Sequence, residues 1–479
     1  MSHPPQPTSV IDFAIDRRQL LLIKKRFLKI NEQRWARTHA ALSERQQLLL
    51  ELLPLLLHVN HPVLPGYIRA DTPAGLCGFE PSKAQLKSAK RLARSFRFQP
   101  LNNRQRSLHA LFLMGSVGTI GQSKNSDLDF WLCFDPSLST AQQQALREKC
   151  DKLSQWGKSL GLDAVFFCMN AERFSRGETL PLSDDSSGRA QHHLLLDEFY
   201  RSAIYLAGRM PLWWFVPCEH DAHYDEYRAQ LLGRRFLRTT EVIDLGGLPC
   251  IPVEEFVSAG IWQLYKGIES PYKSILKLLL LETYASHHPQ AQLLSQRFKQ
   301  AVHTDQINID ALDPYRMIYQ ALEEYLLQRK QTQRLELVRR CFYFKVNKPL
   351  TTTRRHHHSW QRNDLETIVK AWRWTQEQLK FVDRRHQWKA LQVQSERQLL
   401  VSELLNCHRF LAEFSRNAQP SQSANLSPQH GSQLQAELTI LGRKLHAAFE
   451  RKAGKVSLIN PSISPDISEP YLHICRSLG

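Results

Sequence analysis

Met114–Trp131 reads MGSVGTIGQSKNSDLDFW, and this stretch decides how the chain is read. It begins as the short apolar run LHALFLM ends at Gly115, a pattern that suits a buried strand stopped by glycine. Glycine lets an anion come close to the backbone. The Ser116 hydroxyl and the amides after it, at the expected start of a short helix, can bind phosphate oxygens. Gly118 and Gly121 keep that turn open. Ser126 then leads into Asp127-Leu128-Asp129. Strand residues i and i+2 point to one face, so Asp127 and Asp129 project together while Leu128, Phe130 and Leu132 face a core. Two such carboxylates repel each other unless a cation lies between them. Hard oxygens with room left for water and phosphate suit Mg²⁺, with Mn²⁺ as a substitute. Trp131 continues the polar face and is placed to stack on a base or to wall a pocket.

Reading outward, DLDFWLCF is a second strand stopped by DPS, and a helix is expected from about Thr140 to Leu160. Asp163 opens a third strand, DAVFFCM, and is the candidate third carboxylate of a two-metal site, placed to ligate one ion and to help deprotonate an attacking hydroxyl. A polar loop, LPLSDDSSGRA, leads to a helix from about Gln191 to Gly208 and then to an expected fourth strand, PLWWFVPC. Residues 105–235 thus alternate strand and helix. The fold class read from this is α+β: a mixed-sheet, nucleotidyltransferase (polymerase-beta-like) core with large helical flanks. Residues 1–104 form an N-terminal helical region, and 236–415 a helical domain that completes the nucleotide site. Residues 416–479 hold a linker, a helix from about Leu434 to Arg451, and a strand with turns.

In the helical domain, SPYKSILKLLLLETY has Ser270 as N-cap and Pro271 in the first turn. Lys273 and Lys277 lie four apart on one face and are candidates for holding terminal phosphates, with Lys266 and Tyr272 close by in sequence. One of Arg339 and Arg340 could clamp a phosphate and Asp197 could be an alternative metal ligand, but these residues, with His192 and Glu198, better suit packing, capping or ion pairing. The run His356-His357-His358 reads as an exposed loop, because three adjacent residues do not all face one ion.

Composition narrows the class. Hydrophobic residues make up 42% of the 479, enough for true cores. No apolar run is long enough to cross a bilayer; the richest, Leu48–Leu57, is broken by Glu51 and Pro54. The first residues, MSHPPQPTSVIDF, lack the basic-then-apolar layout of a secretory signal. Nine cysteines are scattered without a C-x-x-C pair, which argues for free thiols in a reducing cytoplasm and against a disulfide frame or zinc site. The net charge of +17 is spread along the chain, as on a solvated surface, and no nucleic-acid partner is expected.

At MGS, IGQS and SDLDFW the sequence resembles the class I adenylate cyclases of enterobacteria and related proteobacteria. The likeness extends through LLLHVNHPVLPGY, LLLDEFYRSAIYLAGR, IWQLYKGIESPYKSILKLLLLE, LVRRCFYFKV and KVSLINPSISPDISEP, over roughly residues 17–470. It implies that Gly115, Ser116, Ser126, Asp127, Asp129 and Trp131 occupy active-site positions. It also implies that ATP is closed into 3′,5′-cyclic AMP with loss of pyrophosphate. Asp163 departs from the glutamate expected in some relatives. Members of the family continue for several hundred residues past Gly479 into a region thought to receive phosphotransferase-system signals, so the resemblance implies a phosphotransferase-system regulator that acts through a C-terminal region this sequence does not contain. Two alternatives share the same residues: transfer of the nucleotide to a separate acceptor, and an impaired, truncated nucleotide-binding fragment.

Overall fold

The computed structural model describes residues 13–102, 106–123, 126–178, 191–351 and 359–418, with Ile440, Arg443, Ile463 and Ser464. Outside these lie His356-His357-His358, the polar loop from 181, nearly all of the expected 434–451 helix and the expected C-terminal strand. The chain forms two compact units. The first is Met1–Leu182, Leu195–Pro249 and Leu294–Ile309; the second is Ser183–Leu194, Cys250–Leu293 and Asp310–Gly479. Among the described residues, no helix is long and apolar enough to cross a membrane.

The first unit opens with α1 (Arg17–Ala40), α2 (Glu44–His58) and α3 (Lys83–Leu92). Then come β1 (Leu108–Met114), β2 (Leu128–Phe134), α4 (Thr140–Ser159), β3 (Ala164–Met169), α5 (Ala171–Ser175), α6 (His192–Ser202), β4 (Ile204–Gly208), β5 (Met210–Pro211), α7 (Tyr224–Gly233) and β6 (Val242–Ile243). The four-stranded sheet has the order β3-β2-β1-β4. It is mixed: β1 runs antiparallel to β2 and β4, while β2 and β3 are parallel, joined through α4. The class is therefore α+β with much helix.

Alternation along β2 sorts its side chains. Leu128, Phe130, Leu132 and Phe134 join Leu111 and Leu113 of β1 and a row of α2 leucines in one buried cluster. Each such side chain, fully buried, contributes roughly 1.5–3 kcal/mol. α4 packs here because Gly157 has no side chain: a Cβ would lie 3.3 Å from both Ala164 and Leu49. The opposite face carries Phe112 and Trp131, covered by Phe199 of α6. α1 buries Leu20, Ile23, Phe27, Ile30, Arg34 and Thr38, a stripe at helical spacing. From that stripe's flank, Asn31 satisfies the free edge of β4: its amide donates to Tyr205 O at 2.8 Å and its Oδ1 accepts from Tyr205 N at 2.7 Å.

The fourth strand differs from the sequence reading. It is Ile204–Gly208, which the periodicity assigns to the preceding helix, while Leu212–Phe215 of the expected strand is a 3₁₀ turn. Pro211 and Pro217 bracket that turn, and Leu212 to Phe215 are all buried, so no alternation exists to sustain a half-buried strand. The short helix expected after Ser116 is a series of turns.

The second unit holds α8 (Val253–Gly267) and α9 (Pro271–Ser286); α10 (Leu294–His303) belongs to the first. α11 (Pro314–Gln328), α12 (Thr332–Val346), α13 (Trp360–Trp372), α14 (Gln376–Asp383) and α15 (Ala390–Ala418) complete the second unit. α8 and α15 meet so closely that a Cβ on Gly260 would fall 2.2 Å from Leu411. Arg334 of α12 ties α9 to α15 by pairing with Glu282 at 2.7 Å and Glu403 at 2.6 Å.

Candidate active site

β1 delivers the chain to Gly115, whose φ of +106° turns it across the end of β2. A Cβ there would lie 3.4 Å from Asp129 Oδ2, so the glycine brings backbone directly beside a carboxylate. The turn that follows is held internally. Thr119 Oγ1 donates to Ser116 O at 2.6 Å, and Gln122 Oε1 accepts from Gly118 N at 2.8 Å. Both side chains are buried. Gly118, at φ +70°, meets α1: a Cβ would sit 2.8 Å from Arg34 O and 2.9 Å from Thr38 Oγ1. The first helix is thus the platform on which the turn rests.

Three serines converge where the turn closes. Ser116 Oγ donates to Ser126 Oγ at 3.0 Å, Ser123 N donates to the same oxygen at 2.9 Å, and Ser123 Oγ lies 3.3 Å away. Sequence reading picks out Ser116 and Ser126 and misses Ser123, Gln122 and Thr119. The signal available was the i, i+3 spacing of Thr119 and Gln122 and of Ser123 and Ser126, which suits polar side chains that close turns.

Asp127 is exposed and stands just before β2; Asp129, half-buried, lies within it. Asp129 is opposite Met114 of β1 and Val165 of β3. Leu128 is opposite Ala164, and Leu128 N donates to Asp163 O at 2.8 Å. Asp163 therefore stands beside Asp127, with the two backbones separated by about one strand spacing, ~4.8 Å. By alternation it shares the face of Val165, which is also the face of Asp129, and it is exposed. The N-terminal ends of β2 and β3 therefore carry the three acidic residues on one face, and the serine-lined turn leads directly into Asp127. None of them is turned into the apolar core.

Trp131 is placed otherwise than expected. Its ring stacks on Phe199 at 4.5 Å, meets the edge of Phe174 at 5.5 Å, and is 2% exposed. No face of it is open to a base; it braces the strand beneath Asp129.

Within the second unit, Lys273 is exposed and Lys277 half-buried, one turn apart on α9, and every other residue from Pro271 to Leu280 is buried. Lys266 lies 4.8 Å over the Trp262 ring. Arg340 pairs with Glu396 at 2.5 Å and Arg339 with Glu323 at 3.2 Å. Asp197 is 2% exposed and accepts Ser295 N at 2.9 Å, a structural role. Another group with the donors of a metal site, Glu282, Glu403 and Cys407, is buried around Arg334. The guanidinium supplies the positive charge there, and burial with Glu403 alongside pushes the Cys407 thiol well above its ordinary range, away from the thiolate that binds metal.

Residues 19–214 match the family model described as "Adenylate cyclase NT domain", and residues 251–460 match "Adenylate cyclase, class-I, second domain". The chain belongs to the class I adenylate cyclase family. It is 40% identical over 452 residues to the adenylate cyclase of Escherichia coli (strain K12), and equally to that of Salmonella typhimurium (strain LT2). It is 39% identical over 455 residues to the adenylate cyclase of Proteus mirabilis. Each match covers 94% of this chain and 52% of the relative, so the chain spans about half the length of the curated cyclases it matches. No solved structure matches it. The serine-lined turn and the three acids lie inside the first class I cyclase segment, and Lys273 and Lys277 inside the second.

Proposed function

We propose that this chain cyclises ATP to 3′,5′-cyclic AMP and pyrophosphate on a nucleotidyltransferase-type core. The observation that carries the reading is the strand register: Asp127, Asp129 and Asp163 emerge on one face at the N-terminal ends of β2 and β3, where the glycine-serine turn enters β2, in a chain of the class I cyclase family. The donor set fits a hard divalent cation such as Mg²⁺ or Mn²⁺. It is all carboxylate, Asp127 and Asp163 are open to solvent, and Gly115 sets backbone without a Cβ beside Asp129. Asp127 and Asp129 would hold the cation, with Asp163 as the third ligand. When bound, it would neutralise triphosphate charge and acidify the ribose 3′ hydroxyl.

The protein's own part is positioning. The turn at Ser116–Ser126 grips phosphate oxygens through its amides and its serine cluster, and Lys273 and Lys277 are proposed phosphate-binding residues. Asp163 accepts the 3′ hydroxyl proton as the 3′ oxygen bonds to the α-phosphorus and the bond to pyrophosphate breaks. We set the reaction in the cytoplasm, where ATP is abundant and the described cysteines, all free, stay reduced. A phosphotransferase-system regulator would engage residues that the longer relatives carry outside the matched region.

The test is to incubate the purified chain with α-labelled ATP and Mg²⁺ and no other nucleophile, then resolve the products. Cyclic AMP and pyrophosphate are expected. Label that appears only on an added alcohol or RNA would replace cyclisation with transfer.

A further inference from the structure

The serine cluster has a definite hydrogen count. A hydroxyl has one hydrogen to give and two lone pairs to receive. Ser126 Oγ receives from Ser116 Oγ at 3.0 Å and from Ser123 N at 2.9 Å, which fills both lone pairs. Its own hydrogen then goes to the remaining neighbour, Ser123 Oγ, at 3.3 Å. The relay runs Ser116 to Ser126 to Ser123, and the hydrogen left over is on Ser123. Among the described residues no acceptor takes it, and the side chain is half-buried rather than sealed. Ser126 N also donates to Ser123 O at 3.2 Å, so the two ends of the loop are locked around the cluster.

We propose that Ser123 supplies the hydroxyl that donates to a phosphate oxygen of the nucleoside triphosphate, with Ser116 and Ser126 acting through it as positioning residues. The inference rests on the cyclase reading for the identity of the triphosphate. Its chemistry requires only an anionic oxygen at the mouth of the turn. A hydrogen bond to a charged oxygen is worth more than one between neutral groups, so its loss weakens nucleotide binding about tenfold.

The experiment compares the unsubstituted chain with Ser123→Ala and Ser123→Thr. It measures Mg²⁺-dependent binding of an ATP analogue carrying methylene in place of the α,β-bridging oxygen, together with the KM and kcat of cyclic AMP formation and the Tm. Ser123→Ala is expected to raise both analogue Kd and KM about tenfold, with kcat within about threefold and Tm unchanged. Ser123→Thr, which keeps the hydroxyl, is expected to recover most of the loss. Unaltered Kd in Ser123→Ala, or failure of Ser123→Thr to rescue at unchanged Tm, overturns the assignment. If the unsubstituted chain binds the analogue yet makes no cyclic AMP, the cyclase reading fails and the Kd values alone decide Ser123. If it does not bind the analogue at all, both fall.

Discussion

Two groups of acids in this molecule look alike as lists of residues and differ in physics. Glu282 and Glu403 are 5% and 3% exposed; Arg334 donates to both oxygens of Glu282 and to Oε1 of Glu403, whose Oε2 accepts from Asn406. Asp127 and Asp163 are open to solvent just before β2 and β3, with Asp129 half-buried within β2. The first group brings its own cation as a side chain and is closed to any other. The second stands where solvent and a diffusing cation can reach it. Burial and the source of the counter-charge, rather than the number of carboxylates, separate an acid cluster that holds helices together from one suited to a metal nucleotide.

The sharpest way to break that contrast is to neutralise one member of each group. Asp129→Asn is expected to lower Mg²⁺-dependent cyclic AMP formation on the order of a thousandfold, while the Tm stays within a few degrees. A well-folded variant with full activity would remove the metal assignment. Arg334→Met should do the reverse within its own unit. It strands Glu282 and Glu403 in the interior and should cost about 3–5 kcal/mol in urea unfolding.

Much of the open group was legible in the sequence. Asp127, Asp129 and Asp163 flank apolar strand runs; alternation sends the first two to one face, and the pairing of β2 with β3 adds Asp163. Ser116 follows from the chemistry of a glycine turn, whereas Ser126 came only from the family resemblance. What the sequence did not reveal depends on tertiary contact. Trp131 looked like part of a polar face because it follows Asp129 by two, yet α6 covers that face and brings Phe199 against it. The strand at Ile204 was hidden because its short apolar run continues the helical pattern of α6, and only pairing with β1 separates the two. The support of the turn by α1 joins residues far apart in sequence, which no local spacing reports. The Arg334 group was likewise invisible, since Glu282, Arg334 and Glu403 come from three separate helices.

That hidden support offers a third test. Gly118→Ala adds a methyl 2.8 Å from Arg34 O at a φ of +70°. A loss of about 1–3 kcal/mol is expected, seen as a lower Tm, and the displaced turn should raise KM for ATP. An unchanged Tm and KM would mean that α1 does not hold the turn.

The smallest effect concerns a buried cation that, unlike Arg334, donates to a carbonyl. Lys149 is 1% exposed and bonds to Val59 O at 2.9 Å, and burial draws its pKa down to about 8. Between about pH 8 and 10.5 the unfolded chain keeps a proton that the folded chain has shed, so stability rises with pH across that window. Urea midpoints should show this rise in the unsubstituted chain and a flatter profile in Lys149→Met. Parallel profiles would place the proton elsewhere.

The most direct measurement is Mn²⁺ binding in the presence of the α,β-methylene ATP analogue, followed by electron paramagnetic resonance, for the unsubstituted chain, Asp129→Asn and Glu403→Gln. Tight Mn²⁺ uptake that disappears in Asp129→Asn and persists in Glu403→Gln is the expected result. Uptake that survives in Asp129→Asn and is lost in Glu403→Gln would contradict the account.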